Sequence, residues 1–399
     1  MSRILFVVPP LTGHINPTVS VGAALAGRGH EVAWAGHPAT LRPLLPSGAG
    51  VFPVIDDALD GHLRAGRERW MELRGAAALK FFWEDFIIPL ARAMLPGVEA
   101  AITSFAPDAV VADQQALAGA VAARKAGSIW VTSATTPAEL LRPLASMPKV
   151  EQWISDLMAA LQSEGGSGDP VDLRFSDRLV LVFTTAALMG DTSHFGDHYV
   201  FTGPALAQRP DNGSFPWEWL DPGRRHLLVS LGTLNGPAGE RFFRVVVDAL
   251  AELDSELQVV MVAPSATGSP FPPARPSPTA KIPPHFLLAE HVPQLALLPH
   301  MSAVVSHGGH NTVCESLAHG LPLVVTPIRD DQPIIAKQVA EAGAGIRLRF
   351  GRLRPAELRD AVRAVLDDPS YTEGACRVRN SFAAAGGAVA AADHLEKLL

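Results

Sequence analysis

The sequence has few cysteines and no dense cluster of basic residues. Only Cys314 and Cys376 occur among 399 residues, so a disulfide framework is excluded and a reducing compartment is expected. The formal net charge is −7, and lysine and arginine are scattered along the chain rather than grouped. Nucleic acid is therefore excluded as the main partner, because binding to a phosphate backbone needs concentrated positive charge.

Long apolar runs and a dinucleotide fingerprint are absent as well. No stretch approaches the roughly 18 consecutive apolar residues that cross a bilayer, and the apolar run at 4–8 is too short for a secretory signal. We therefore expect a cytoplasmic protein without stable membrane insertion. The loop after the first predicted strand carries no GxGxxG, which disfavours a dinucleotide-dependent dehydrogenase.

The sequence also predicts no metal cofactor. Asp56, Asp57 and Asp60 form a small acidic group, but no histidine or further carboxylate is placed to complete a coordination shell. A solvated loop is the preferred interpretation of this group.

The sequence does contain the strand and helix alternation of an α/β protein. Its length predicts two domains of about 200 residues each. Predicted strands at 4–8 and 31–35 flank a helical stretch, and the apolar runs at 303–305 and 321–325 flank another, so each half contains a βαβ unit of a parallel sheet. We predict an N-terminal domain over 1–204, a linker over 205–224 and a C-terminal domain over 225–399.

The region around residues 306–312 has the features of a phosphate site. The strand at 303–305 runs into Ser306-His307-Gly308-Gly309-His310-Asn311-Thr312, where the glycines allow a sharp turn and Asn311 or Thr312 is predicted to cap the next helix. The start of such a helix carries unpaired N–H donors and a partial positive charge, which suit a diphosphate without a metal. His307 adds a donor and Thr312 a hydroxyl.

Three polar side chains near this helix have the chemistry to bind sugar hydroxyls. Glu315 lies one turn further along the same helix, and its carboxylate suits a pair of hydroxyls. Asp331 and Gln332 follow the strand at 321–325 by a few residues, which brings them to the same edge of the sheet. Taken singly, each residue has an ordinary structural explanation; taken together, their spacing predicts a nucleotide-sugar site.

In the first half, His14 follows the first strand and Asp113 ends a later buried strand at 107–113. Asn16-Pro17 is predicted to start the helix after the first strand, because asparagine is a good capping residue and proline is favoured at the first helical position. The carboxyl ends of parallel strands share one edge of a sheet, where open α/β sheets bind ligands. An imidazole acting as a general base needs a partner that fixes its tautomer, and Asp113 is the candidate. The alternative is that both residues are structural or helix-capping.

Large apolar side chains are concentrated at 56–95 and 132–161, with Phe82, Trp83 and Phe86 in the first of these segments. Helical spacing of aromatic residues is more often a sign of a plain core. The functional alternative is an apolar cleft for a hydrophobic acceptor molecule.

The residues quoted above, together with Val292-Pro293-Gln294 and Pro327, resemble the donor-binding signature of nucleotide-sugar-dependent glycosyltransferases of the GT-B fold. More narrowly, the pattern is similar to the bacterial antibiotic and macrolide glycosyltransferases, relatives of the UDP-glycosyltransferases. Their GHxxP motif is present as Gly13-His14-Ile15-Asn16-Pro17, and their diphosphate-binding loop resembles Ser230-Leu231-Gly232-Thr233. Many relatives carry a tryptophan where this chain has His291, which keeps both uracil-linked and thymine-linked donors open.

The resemblance implies two facing Rossmann-like domains with an interdomain cleft, the last helix returning to the first domain, and an inverting sugar transfer. His14 would be the catalytic base with Asp113 beside it. Donor contacts are implied for the following residues: Thr233, His291, Gln294, His307, Gly309, Asn311, Thr312, Glu315, Asp331 and Gln332. Phe82, Trp83 and Phe86 would line the acceptor side, and no cofactor or metal is expected beside the UDP- or dTDP-sugar.

The sequence is also compatible with two other classes of function. A nucleotide-sugar epimerase or hydrolase would share the architecture and the phosphate site, but would not need a large apolar pocket. A non-catalytic sugar-nucleotide-binding protein would keep the donor motif without a use for His14 and Asp113. The acceptor hydroxyl of a hydrophobic secondary metabolite is the expected target, and a homodimer is considered beside a monomer.

Overall fold

The computed structural model describes residues 1–55, 61, 66, 69–70, 72–206, 215–232, 236–263 and 282–399. The chain divides into two compact units, each with its own parallel sheet. Unit 1 contains Met1–Phe183, Ser193–Pro210 and Ala385–Leu399; unit 2 contains Thr184–Thr192 and Asp211–Ala384. The prediction of two parallel α/β domains is confirmed. The short segment Thr184–Thr192 lies in the range predicted for the N-terminal domain but belongs to unit 2, and the C-terminal segment belongs to unit 1, where the resemblance placed the last helix.

Unit 1 is built on a sheet of seven parallel strands in the order β3-β2-β1-β4-β5-β6-β7. The strands are β1 (Arg3–Val7), β2 (Glu31–Gly36), β3 (Gly50–Pro53), β4 (Ala109–Asp113), β5 (Ile129–Ala134), β6 (Val180–Val182) and β7 (Tyr199–Phe201). The chain moves outward from β1 to β3 on one side and from β4 to β7 on the other. The point where the order reverses therefore lies between β1 and β4, which is where such sheets open a crevice.

The helices of unit 1 are α1 (Thr12–Gly27), α2 (Pro38–Leu41), α3 (Gly75–Phe81), α4 (Ile88–Phe105), α5 (Leu117–Ala126), α6 (Pro148–Gly165) and, at the C-terminus, α14 (Gly387–Glu396). A π-helical turn, Phe82–Ile87, joins α3 to α4, and a 3₁₀ turn, Pro137–Leu141, follows β5.

The stretch Gly75–Phe105 is long and apolar enough to pass as a membrane-spanning helix, which our count of consecutive apolar residues did not predict. Half of its most apolar window is buried. Leu90, Met94 and Val98 are fully inaccessible and belong to the apolar core beside the sheet. The apolar character of this segment is thus explained by packing inside unit 1, as in the core helix of a globular domain.

The C-terminal helix α14 packs against α1 in unit 1. Ala391, Ala392 and Leu395 are fully buried there. The Arg28 guanidinium donates to Asp393 at 2.7 Å and to Glu396 at 2.6 Å, and His30 Nε2 lies 2.8 Å from Glu396 Oε1. Apolar burial therefore supplies most of the attachment, since exposed ion pairs contribute little on their own.

Unit 2 has a sheet of six parallel strands in the order β10-β9-β8-β11-β12-β13. The strands are β8 (Arg225–Ser230), β9 (Leu257–Val262), β10 (Phe286–Ala289), β11 (Ala303–Ser306), β12 (Leu323–Val325) and β13 (Gly345–Arg347). The helices are α7 (Ala186–Met189), α8 (Gly236–Leu250), α9 (Gln294–Leu297), α10 (His310–Ala318), α11 (Gln332–Glu341), α12 (Pro355–Asp367) and α13 (Pro369–Ala385). Here the strand order reverses between β8 and β11.

The start of α1 differs from the prediction. Asn16 and Pro17 were expected to cap and open this helix, but it begins at Thr12, with Pro17 inside it and Asn16 buried at 6% exposure. His14 therefore lies in the first helical turn rather than in the preceding loop. Pro17 lies past the first turn, so it leaves the helix without the hydrogen bond that residue 17 would otherwise donate to the Gly13 carbonyl.

Candidate active site

His14, Asp113 and Thr135 come together at the reversal point of the unit 1 sheet. His14 lies in the first turn of α1, just after β1, Asp113 is the last residue of β4, and Thr135 directly follows β5. The register pairs Val7 with Ala112 and Asp113 with Ser133, so the three strands end side by side. Sequence reasoning correctly placed His14 and Asp113 at one edge of the sheet.

The three side chains form a connected hydrogen-bond network. His14 Nδ1 lies 3.0 Å from both carboxylate oxygens of Asp113. The Thr135 hydroxyl donates to Asp113 Oδ2 at 2.7 Å and lies 2.7 Å from His14 Nδ1, and the Gln115 N–H donates to Asp113 Oδ1 at 2.8 Å. The Asp113 carboxylate is fully buried, so each of these donors offsets part of the cost of burying its charge.

This arrangement selects one tautomer of His14. A carboxylate only accepts hydrogen bonds, so Nδ1 must carry the proton that it shares with Asp113. Nε2, on the far side of the ring, then holds the lone pair. The His14 side chain is 15% exposed, and an imidazole in this state has the geometry of a general base supported by a carboxylate.

Thr135 was missed by the sequence analysis because β5 was not predicted. The segment IWVTSA at Ile129–Ala134 begins with three apolar residues and contains three β-branched side chains, which is a strand signal. Had this strand been assigned, the hydroxyl next to its carboxyl end would have been a candidate on the same grounds as Asp113.

In unit 2, the loops that follow β8 and β11 have the same local structure. The Ser230 hydroxyl accepts a hydrogen bond from the Gly232 N–H, and the Ser306 hydroxyl accepts one from the Gly308 N–H, each at 3.2 Å. Both serines are buried. Two adjacent strands therefore end in compact turns at the reversal point of this sheet, which is where the sequence placed the phosphate site.

The imidazole of His307 lies close to two glycines. A Cβ on Gly232 would lie 2.8 Å from His307 Cε1, and a Cβ on Gly309 would lie 2.6 Å from His307 Nε2. Gly232 also has a φ of +68°, a conformation that other residues adopt at a cost. A side chain at Gly232 or Gly309 would overlap the His307 imidazole, so both positions require glycine.

Burial lowers the pKa of His307 to about 4, although the negative charge of Asp331 and a hydrogen bond to the Ser230 backbone partly oppose the effect. The ring is therefore neutral near pH 7. His307 would approach a diphosphate as a hydrogen-bonding imidazole rather than as a permanent cation.

The N-cap of helix α10 lies two residues before the first of its predicted capping residues. Its N-cap is Gly309, in an extended conformation with no hydrogen bond from a capping side chain, and His310 is its first residue. The prediction that Asn311 or Thr312 caps the helix is wrong, because Gly309 already supplies the extended backbone that the cap position requires. Asn311 and Thr312 instead lie in the first turn, half-buried, where the helix dipole favours an anion.

Glu315 is placed by a hydrogen bond from another part of unit 2. Its carboxylate is buried at 1% exposure and accepts a hydrogen bond from Gln294 Nε2 at 2.5 Å. Gln294 is the first residue of α9, so this contact joins two helices whose residues were assigned to the donor site. His291 lies three residues before Gln294 and is exposed.

Gln332 is more restricted than the sequence indicated. It is the first residue of α11, and its side-chain oxygen accepts hydrogen bonds from the Ile328 N–H at 2.9 Å and the Arg329 N–H at 3.1 Å. We expected its amide to act as both donor and acceptor toward a sugar. The structure commits the acceptor oxygen to the loop before α11, so the NH₂ group remains as the donor. Asp331 directly precedes the helix at its N-cap position.

The aromatic residues assigned to the acceptor side lie in the π-helical turn between α3 and α4. Trp83 and Phe86 are buried at 4% and 8% exposure and belong to the core of unit 1, so packing alone explains them. Phe82 is only partly buried and stacks on Trp70 at a ring distance of 5.9 Å. Of the three, Phe82 is the most accessible to a ligand.

Some predicted features lie outside the described residues. These are Thr233, the acidic residues Asp56, Asp57 and Asp60, and most of the proline-rich loop predicted at 264–284.

Residues 244–398 match the family described as erythromycin biosynthesis protein CIII-like, C-terminal domain. The whole chain is 28% identical to 4'-demethylrebeccamycin synthase of Lentzea aerocolonigenes, covering 100% of both chains. It is 27% identical to demethyllactenocin mycarosyltransferase of Streptomyces fradiae, covering 100% of this chain and 87% of that one. Among solved structures, the glycotransferase of kitacinnamycin is similar at a TM-score of 0.79 and 26% identity, covering 100% of this chain and 99% of that one.

Fold and comparisons together define the class as the GT-B glycosyltransferases, which confirms the predicted fold. Within that class, the chain is similar to glycosyltransferases of the antibiotic and secondary-metabolite type.

Proposed function

We propose that the protein transfers a hexose from a nucleoside diphosphate sugar to a hydroxyl group of a hydrophobic small molecule, with inversion at the anomeric carbon. The observation that carries this proposal is the contact of His14 Nδ1 with both oxygens of the buried Asp113 carboxylate, at 3.0 Å each. A protein that only bound the donor would have no need for an imidazole held in this way.

In the proposed reaction, His14 Nε2 accepts the proton of the acceptor hydroxyl as its oxygen attacks the anomeric carbon. The oxygen–carbon bond forms on the face opposite the nucleotide while the bond from carbon to the diphosphate oxygen breaks. Asp113 stabilises the imidazolium that forms on His14. A general base of this kind contributes about 10² to 10⁴ in rate.

The departing diphosphate would be held by the start of α10. Backbone N–H groups and the helix dipole favour negative charge there, and the Thr312 hydroxyl lies in the same turn. His307 lies beside Gly309 at this point and Thr233 follows the neighbouring loop in sequence. Because these groups stabilise the leaving group, we propose that the reaction needs no divalent metal.

Three residues of unit 2 would orient the rest of the donor. Glu315, held by Gln294, is suited to the pentose hydroxyls of the nucleotide. Asp331 would accept hydrogen bonds from hydroxyls of the transferred sugar, and the Gln332 NH₂ group would donate one. The exposed His291 does not favour uracil or thymine as the nucleobase of the donor, so UDP- and dTDP-sugars are both candidate donors. We place the reaction in the cytoplasm.

The test is a mass-spectrometric screen of UDP- and dTDP-sugars against polyketide, flavonoid and carotenoid alcohols, with and without EDTA. For a productive pair, His14→Ala should lower kcat by about 10² to 10⁴. The matched control His194→Ala removes an exposed histidine of unit 1 and should retain parental activity. NMR of the product should show a β-linkage from an α-linked donor.

Several results would contradict the proposal. Parental turnover in His14→Ala would show that His14 is not the base, and retention of configuration would rule out a single displacement. Loss of activity with EDTA would contradict metal independence. Conversion of the donor at the same rate without any acceptor would instead identify a hydrolase or an epimerase.

A further inference from the structure

The hydroxyl of Thr135 contacts both members of the His14–Asp113 pair. Its oxygen lies 2.7 Å from Asp113 Oδ2 and 2.7 Å from His14 Nδ1, and the residue is 3% exposed. These distances are shorter than the two His14–Asp113 distances of 3.0 Å. A hydroxyl so placed has to share its single proton and its lone pairs among two partners.

The direction of each hydrogen bond follows from the chemistry of the partners. The carboxylate has no proton to give, so the Thr135 hydroxyl donates to Asp113 Oδ2. Its proton is then used, and its oxygen can only accept from His14 Nδ1. In the tautomer that is protonated on Nδ1, the His14 N–H therefore faces three acceptor oxygens. In the other tautomer, the lone pair of Nδ1 would face the same three oxygens and no donor.

We propose that Thr135 is a positioning residue that fixes the orientation of the Asp113 carboxylate against the His14 Nδ1–H. This inference deepens the proposed function, on which it rests for the role of His14 as the base. Thr135 acts through the other two side chains and does not itself take a proton from the acceptor.

Removing the hydroxyl leaves the buried carboxylate with two donors, the Gln115 N–H and the His14 Nδ1–H. The carboxylate loses one donor and the His14 Nδ1–H loses one acceptor, so the pKa of His14 should shift. The carboxylate also loses the contact that fixes Oδ2. Loss of one hydrogen bond to a charged group predicts a decrease in kcat of about tenfold.

The experiment compares Thr135→Val, which keeps the shape of the side chain, with Thr135→Ser, which keeps the hydroxyl. The first readout is the ¹⁵N NMR titration of the His14 ring, assigned by loss of its signals in His14→Gln. We expect a shifted His14 pKa in Thr135→Val, with Nδ1 still protonated opposite the Asp113 carboxylate, and parental behaviour in Thr135→Ser. This readout needs no turnover, so it remains valid even if the transferase proposal fails.

The second readout is steady-state kinetics with the productive substrate pair. Thr135→Val should lower kcat about tenfold with little change in the KM of the donor, and Thr135→Ser should restore kcat. Thr184→Val is the matched control, since Thr184 is a fully buried threonine of unit 2 whose hydroxyl has no hydrogen-bond partner among the described residues. It should have the parental kcat.

A second ionisable group, Glu139, lies near Asp113 and is tested separately. Glu139, in the 3₁₀ turn after Thr135, interacts electrostatically with Asp113, and burial raises the pKa of its carboxyl, with Arg174 opposing the effect. A Glu139→Gln background should leave the difference between Thr135→Val and Thr135→Ser unchanged.

The proposal would be overturned by an unchanged pKa of His14 in Thr135→Val. It would equally be overturned if kcat stayed at the parental value while the donor KM rose, because the hydroxyl would then contact the donor and not position the base. Failure of Thr135→Ser to restore the His14 titration would assign the effect to packing of the methyl group.

Discussion

Acidification should destabilise unit 2 through His307. This imidazole is buried, and burial lowers its pKa to about 4. In the unfolded chain the same side chain titrates near pH 6.5, at about its ordinary pKa. Between these two pH values the unfolded state binds a proton that the folded state does not, so stability falls as the pH falls through this window.

The size of the effect follows from the two pKa values. At about 1.36 kcal/mol per pKa unit, the gap from about 6.5 to about 4 corresponds to about 3 kcal/mol once the pH is below both values. At pH 5 the unfolded side chain is almost fully charged and the folded one almost neutral, which gives about 2 kcal/mol. That is a large fraction of the stability of an ordinary domain.

The perturbation is His307→Asn, which removes the titrating group without adding volume between Gly232 and Gly309. Urea unfolding followed by circular dichroism, at pH 7.5 and pH 5, gives the free energy of unfolding for both proteins. Relative to the parent, the variant should gain about 2 kcal/mol on going to pH 5. Taking the difference between the two proteins cancels the other titrating groups. If the two units unfold in separate transitions, only one should respond.

The matched control is His291→Asn, which removes an exposed histidine of the same unit. Its pH dependence should be that of the parent. If His307→Asn and the parent lost the same free energy between pH 7.5 and pH 5, the burial argument for His307 would be refuted. The same outcome would weaken the view that His307 meets a diphosphate as a neutral ring.

Three further predictions concern the residues of the two sites. Gly309→Ala places a Cβ 2.6 Å from His307 Nε2 and should weaken binding of UDP or dTDP at least tenfold in calorimetry. The control Gly351→Ala, which has nothing within 4 Å of the added Cβ, should bind with the parental affinity. Equal affinity in both variants would contradict the close packing around His307. Gln294→Leu removes a donor from the buried Glu315 carboxylate and should lower the free energy of unfolding by about 1 to 3 kcal/mol; an unchanged urea midpoint would exclude this hydrogen bond. Asp113→Asn should lower kcat by about 10² or more while calorimetry shows the parental donor affinity, and a large loss of donor affinity would assign Asp113 to a different role.

Much of the fold was predictable because its signals are local. Buried parallel strands appear as short apolar runs, and the ends of such strands meet at one edge of the sheet. On that basis His14 and Asp113 were correctly expected to lie together, although almost 100 residues separate them. The alternation of strands and helices likewise predicted both domains. Short strands with weaker patterns, such as Gly50–Pro53 and Gly345–Arg347, were not predicted.

The errors occurred where a local preference competed with packing. Asparagine followed by proline is a good helix start, but Asn16 is buried inside α1 and the helix begins at Thr12. Asparagine and threonine are good capping residues, but Gly309 takes the cap position before Asn311 and Thr312. In both cases the rest of the unit determined where the helix begins, and the cap contributes only about 1 kcal/mol.

The sequence by itself determined the class of fold, the edge of each sheet that carries the site, and the kinds of side chain found there. These follow from the period of apolar residues and from the chemistry of motifs, both of which are read along the chain. Only the tertiary structure decided which atoms pair: that Thr135 joins His14 and Asp113, that Gln294 holds Glu315, and that the Gln332 oxygen is used by its own loop. Hydrogen-bond partners depend on distances of a few tenths of an ångström between residues far apart in sequence, and such distances are set by the packing of whole elements.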